Sequence, residues 1–75
     1  MIERKIRLTD TEEVKDFVRA AGKCDFDIDV YYNRITIDAK SIMGVLSLDL
    51  SQVLTVKYGG EDAQLEDVLS KYAAA

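Results

Sequence analysis

Two kinds of apolar periodicity alternate along this chain, and their order restricts it to a short list of layered folds. At residues 1–8, Ile6 and Leu8 fall on one side and Lys5 and Arg7 on the other, the period of two that suits a half-buried strand. Thr9, Asp10, Thr11, Glu12 and Glu13 then read as a helix start, with Thr9 and Glu12, or Asp10 and Glu13, at capping-box spacing and acidic residues at the positive end. Val14, Phe17, Val18 and Ala21 recur with the helical period, and Gly22 predicts the end of this helix. Alternation returns at Phe26, Ile28 and Val30 and again at Ile35 and Ile37, with Asn33 as the turn residue of a hairpin. Ser41 is placed to cap a short second helix that runs to Leu48, in which Gly44 costs about 1 kcal/mol of helix propensity. Leu54, Val56 and Tyr58 predict a fourth strand, Gly59-Gly60 stops it, and Leu65, Val68, Leu69 and Tyr72 form the stripe of a last helix.

The expected order is βαββαβα, an α+β chain organised as one domain over residues 1–75. Each helix has one apolar stripe and most strands one apolar face, which implies two layers, with three helices on one face of a four-stranded antiparallel sheet. A ferredoxin-like arrangement would use the first six elements and leave the last helix as an addition.

Composition narrows the function. Hydrophobic residues at 48% and charged residues at 32% are a globular balance, so a packed core is expected. The net charge of -4 argues against nucleic-acid and anionic-membrane partners, which need a basic surface, and leaves another protein as the expected partner. The lone Cys24 cannot form an intramolecular disulfide, and no long apolar run is present, so the cytoplasm is the expected compartment. With no histidine in the chain, Cys24 has no base for nucleophilic chemistry. Asp25, Asp27 and Asp29 alternate and would share one strand face, but they lack the glycine turn and closing glutamate of a calcium loop and read as a solvated face. Gly59-Gly60 is not followed by Lys-Ser or Lys-Thr and is a turn, not a phosphate loop. Tyr31, Tyr32, Tyr58 and Tyr72 read as packing residues with the hydroxyl at the surface. No metal, cofactor or enzymatic activity is expected.

One segment is specific. Residues 40–48 read Lys-Ser-Ile-Met-Gly-Val-Leu-Ser-Leu, and this stretch resembles the regulatory-serine segment of HPr, the small phosphocarrier of the bacterial phosphotransferase system. The resemblance extends from about Phe17 to Tyr72 and is dense from Asp38 to Leu50. It implies the HPr fold, an open-faced β-sandwich with sheet order 1-4-2-3, and it marks Ser41 as the serine that HPr kinase phosphorylates in the family. It also implies that the apolar residues of the second helix, here Ile42, Met43 and Leu46, dock partner proteins; Val45 and Leu48 are expected in the core, together with one of those three.

The same resemblance exposes a departure. HPr carries phosphate on a histidine in a Gly-Ile-His-Ala-Arg-Pro-Ala stretch at the start of its first helix, and ungapped alignment puts Asp10 where that histidine would lie and Glu12 and Glu13 where the family has arginine and proline. Glu12 would repel a phosphate there, and Asp10 is favoured as a helix cap. Three functions follow. The first is an HPr-like regulatory or adaptor protein that has lost histidine phosphotransfer, with Ser41 as a switch and phosphotransferase components, HPr kinase or a transcriptional regulator as partners. The second keeps the fold for structural or unrelated protein binding, with no phosphorylation. The third is a phosphocarrier that forms an acyl phosphate on Asp10.

Overall fold

The computed structural model describes residues 1–74. Its elements are β1 (Ile2–Ile6), α1 (Thr11–Gly22), β2 (Ile28–Tyr32), β3 (Ile35–Asp38), α2 (Ile42–Leu46), β4 (Leu54–Tyr58) and α3 (Ala63–Lys71). The four strands form one antiparallel sheet in the order β1-β4-β2-β3, the order the family resemblance implies.

Alternation decides which side chains meet the helices. Ile6 of β1, Ile28 and Val30 of β2, and Leu54, Val56 and Tyr58 of β4 are fully buried. They pack with Val14 and Phe17 of α1, Val45 of α2, and Leu65 and Leu69 of α3 in one apolar cluster. The opposite sheet face is polar and open. There Lys57 pairs with Glu3 at 3.9 Å and sits over the Tyr31 ring at 4.5 Å. On the helix side, Arg4 shares the direction of Ile6 and bonds Glu66 Oε1 of α3 at 2.6 Å, while Tyr58 donates its hydroxyl to Glu66 Oε2.

The two sheet edges differ. Along β1, Arg7 N donates to Tyr72 O at 2.9 Å, Ala74 N donates to Lys5 O at 2.9 Å, and Ile6 and Ala73 form an antiparallel bridge. Residues 72–74 thus cover part of that edge. β3, at the other edge, has no such cover among the described residues.

Apart from α2, which ends at Leu46 and not Leu48, and Tyr58, which is fully buried with its hydroxyl on Glu66 and not at the surface, three local expectations change. β2 begins at Ile28 and not at Phe26, because the chain bends at residues 25–26 and Phe26 stacks on Tyr58 with ring centroids 6.1 Å apart. A Cβ at Gly60 would overlap the Phe26 ring, so the strand-ending glycine makes room for that stack. Asp25 and Asp27 therefore lie before the strand and share no strand face with Asp29. Third, α1 does end at Gly22, but no glycine has positive φ and Lys23 caps the helix in the right-handed region, so the glycine is not used for left-handed backbone. Asn33 does take positive φ, at 53°, and turns the β2–β3 hairpin.

Candidate functional site

The loop between β3 and α2 is built by its own polar residues. Asp38 Oδ1 accepts from Lys40 N at 2.9 Å, and Asp38 O accepts from Ser41 N at 3.0 Å, which folds residues 38–41 into a tight turn. Buried Ala39 anchors the turn, with its N–H donating to Ile28 O at 2.8 Å. Lys40 Nζ is held by Cys24 O at 2.9 Å. Ser41 follows in extended conformation, and its Oγ accepts from Gly44 N at 3.3 Å, so the serine is the N-cap of α2 as its sequence position predicts. Its side chain is exposed, and its hydroxyl donates to nothing among the described residues.

α2 has five residues, and its faces sort cleanly. Val45 is buried, Leu48 beyond the helix is buried, and Ile42 packs half-buried against the core. Met43 is 76% exposed and Leu46 37% exposed. Ile42 is thus the one of the three apolar candidates that the core claims, and Met43 and Leu46 stand on the surface of the short helix that Ser41 caps. Gly44 explains its own presence. A Cβ there would lie 2.7 Å from Ile37 Cγ2 of β3, so the helix can lie this close to the strand only with glycine at the contact.

The start of α1 is acidic and internally bonded. Asp10 Oδ1 accepts from Glu13 N at 2.9 Å, and Glu13 Oε1 accepts from Thr9 N at 2.8 Å and Thr9 Oγ1 at 2.9 Å. Of the two capping pairs open in the sequence, the structure uses Asp10 and Glu13, with Glu13 reaching back one residue beyond the cap. Asp10, Glu12, Lys15, Arg19, Lys71 and Tyr72 border an open depression here. Basic side chains therefore line the same depression as Asp10, which the sequence alone does not indicate. Two of them already face carboxylates: Lys15 lies 3.6 Å from Glu12 and Lys71 lies 3.3 Å from Asp16. The Tyr72 hydroxyl donates to Asp16 at 2.7 Å, and this bond, ahead of the lysine, holds the Asp16 carboxyl below its usual range despite some burial.

Two polar features lie outside the motif and are absent from the sequence reading. Asp62 caps α3 by accepting from Leu65 N at 2.9 Å, a signal present in its position just ahead of the apolar stripe. The Arg4, Glu66 and Tyr58 cluster is signalled only by the parity of Arg4 with Ile6. Burial first, and then the Glu66 carboxylate, push the Tyr58 hydroxyl up to about 12. Cys24 is buried, its thiol donating to Ala20 O at 3.5 Å, and burial raises its pKa, so it packs as an inert group. Among the described residues no cluster of side chains is arranged to hold a metal ion, and no helix is long and apolar enough to cross a membrane.

Comparison with known proteins places this architecture. The sequence profile described as "PTS HPr component phosphorylation site" matches residues 11–74. Among solved structures, the chain resembles HPr-C-His from Thermoanaerobacter tengcongensis with a TM-score of 0.76 and 29% identity, covering 95% of this chain and 93% of that one. It also shares its fold with the phosphocarrier protein HPr from Bacillus anthracis, with a TM-score of 0.70 and 24% identity, covering 95% of each chain.

Proposed function

Because the chain belongs to the HPr family, we propose that it serves the phosphotransferase system as a regulatory or adaptor protein, and no longer carries phosphate on histidine. HPr proteins are phosphocarriers that act with other proteins of that system and are not enzymes in themselves. The observation that supports the regulatory reading is the pairing on α2 of an exposed Ser41 with exposed Met43 and Leu46. A modifiable hydroxyl at the helix start and two exposed apolar side chains thus share one short element, while Ile42 packs against the core. Phosphate on Ser41 would add charge next to Met43 and Leu46 and so change partner affinity. Met43 suits such a surface because its side chain adapts to different partners.

The start of α1 supports the other half of the reading. The chain has no histidine, and Asp10 commits a carboxylate oxygen to the Glu13 N–H while Glu12 and Glu13 add like charge. A phosphoryl group arriving there would meet the Glu12 and Glu13 carboxylates, and Lys15 and Lys71 on the same depression are already engaged by Glu12 and Asp16, which disfavours the phosphocarrier role through Asp10 as well. In this reading residues 1–75 work as one domain in the cytoplasm, need no cofactor, catalyse no reaction, and bind phosphotransferase components, HPr kinase or a transcriptional regulator.

Incubation with HPr kinase and ATP tests it. Mass spectrometry should find phosphate on Ser41 and not on Ser47 or Ser51, and Ser41→Ala should abolish the label while leaving the fold intact. An unmodified Ser41, under conditions that fully phosphorylate an authentic HPr, would leave the serine as a helix cap and favour structural or unrelated binding. Enzyme I with phosphoenolpyruvate should give no label; a labile phosphate lost on Asp10→Ala would establish carriage through that carboxylate.

A further inference from the structure

We propose that the free edge of β3 pairs with β3 of a second copy, antiparallel and centred on Thr36, joining two four-stranded sheets into one. The backbone sets the first condition. Ala39 N donates to Ile28 O, and β3 residues alternate in direction, so Ile37 and Ile35 turn their backbone groups toward β2. Thr36 turns both its backbone groups outward and Asp38 its N–H, while Asp38 O is held by Ser41 N and Arg34 stands in the hairpin turn just ahead of the strand. An antiparallel neighbour centred on Thr36 sets Thr36 opposite Thr36 and Arg34 opposite Asp38, which brings the outward N–H and C=O of Thr36 in each copy against those of the other.

Side chains meet a second, independent condition in the same alignment. Charges on an edge strand ordinarily keep a second strand away. Here Arg34 and Asp38 flank Thr36 at equal distance in sequence and have opposite sign, so the alignment that fits the backbone also brings unlike charges together at both ends. Within one copy neither charge is neutralised. Asp38 lies opposite Asp29 across the β2–β3 ladder, two like charges facing each other. Asp29 has Lys57 as its other cross-strand neighbour, whereas Asp38 and Arg34 have no ion pair among the described residues. Arg34 of a second copy supplies the cation that Asp38 lacks.

On the helix side the alignment sets Ile35 against Ile37 of the second copy, covering an isoleucine that is 48% exposed in the isolated chain. Both helical layers then lie on the same side of the extended sheet. The contact is short, four residues of strand with their flanks, so the association is weak and reversible.

Sedimentation velocity over micromolar to millimolar concentration, on the parent, Arg34→Glu, Asp38→Lys and their equimolar mixture, tests the pairing. The parent should shift toward dimer as concentration rises. Each variant alone places like charges at both ends and should associate about tenfold or more weakly. In the mixture, the introduced glutamate of one chain faces the introduced lysine of the other, and the unaltered Asp38 of the first faces the unaltered Arg34 of the second. Association should then return to near the parent's. Thr36→Pro removes only an outward N–H and should also abolish the dimer while circular dichroism shows the fold retained. A parent that stays monomeric at millimolar concentration, or a mixture that stays as monomeric as its components, overturns the proposal. Association that survives Thr36→Pro also overturns it, and moves the contact to Met43 and Leu46.

Discussion

Gly44 shows how much one missing methyl can decide. On helix propensity alone, alanine at an interior position of α2 would stabilise it by about 1 kcal/mol. The Ile37 side chain opposes that gain, since the new Cβ would come within 2.7 Å of Cγ2. Overpacking of this kind costs roughly 1 to 3 kcal/mol, so Gly44→Ala should lower stability on balance. Urea denaturation checks this, and the design includes its own control. In an Ile37→Ala background the clash is absent, and the same substitution should become neutral or stabilising. If Gly44→Ala stabilises the parent chain, α2 does not lie as close to β3 as described. The serine ahead of it has a separate role: Ser41→Ala removes the acceptor for Gly44 N and should cost about 1 kcal/mol, a loss small enough to leave the fold in place for the phosphorylation experiment.

At the scale of elements, the helices hold their positions through a few fully buried side chains. Phe17 of α1 and Leu69 of α3 are both completely enclosed in the core. Phe17→Ala and Leu69→Ala should each destabilise the chain by roughly 2 to 5 kcal/mol, a large part of what so small a protein has. Thermal melts of the two variants check it, and melting near the parent temperature in both would mean the wrong helix faces are turned inward. These faces were legible because 3.6-residue recurrence needs no tertiary knowledge: Val14, Phe17, Ala21, Leu65 and Leu69 announce themselves. The start of β2 was not legible. Phe26 continues the alternation of Ile28 and Val30, and only the Tyr58 ring and the space left by Gly60 show that its backbone has bent away. Likewise Asp10 reads as a cap from its position, but the basic residues that share its depression come from α1 and from the end of α3, and no local pattern brings those together.

Over the whole molecule, the polar link between layers is the cluster where Arg4 of β1 and Tyr58 of β4 meet Glu66 of α3. Its pH dependence has a definite sign. The Tyr58 hydroxyl is raised in the folded chain from an ordinary value near 10 to about 12, so the folded state holds the proton more tightly than the unfolded one. The stability this contributes is fully present below about pH 10 and is lost as pH rises toward 12. Urea midpoints across that window should fall in the parent, and Tyr58→Phe should remove that part of the decline; an unchanged slope in the variant would assign alkaline unfolding elsewhere. At the β1 edge of the same sheet, the cover that residues 72–74 give governs how the molecule yields to force. Met1 and Ala74 lie toward the same end of that antiparallel contact, with Ala74 bonded to Lys5 and Tyr72 to Arg7. Tension applied between them loads one hydrogen bond at a time, first Ala74 to Lys5 and then Tyr72 to Arg7. The contact therefore opens like a zipper and offers little mechanical resistance, laying bare the edge of β1.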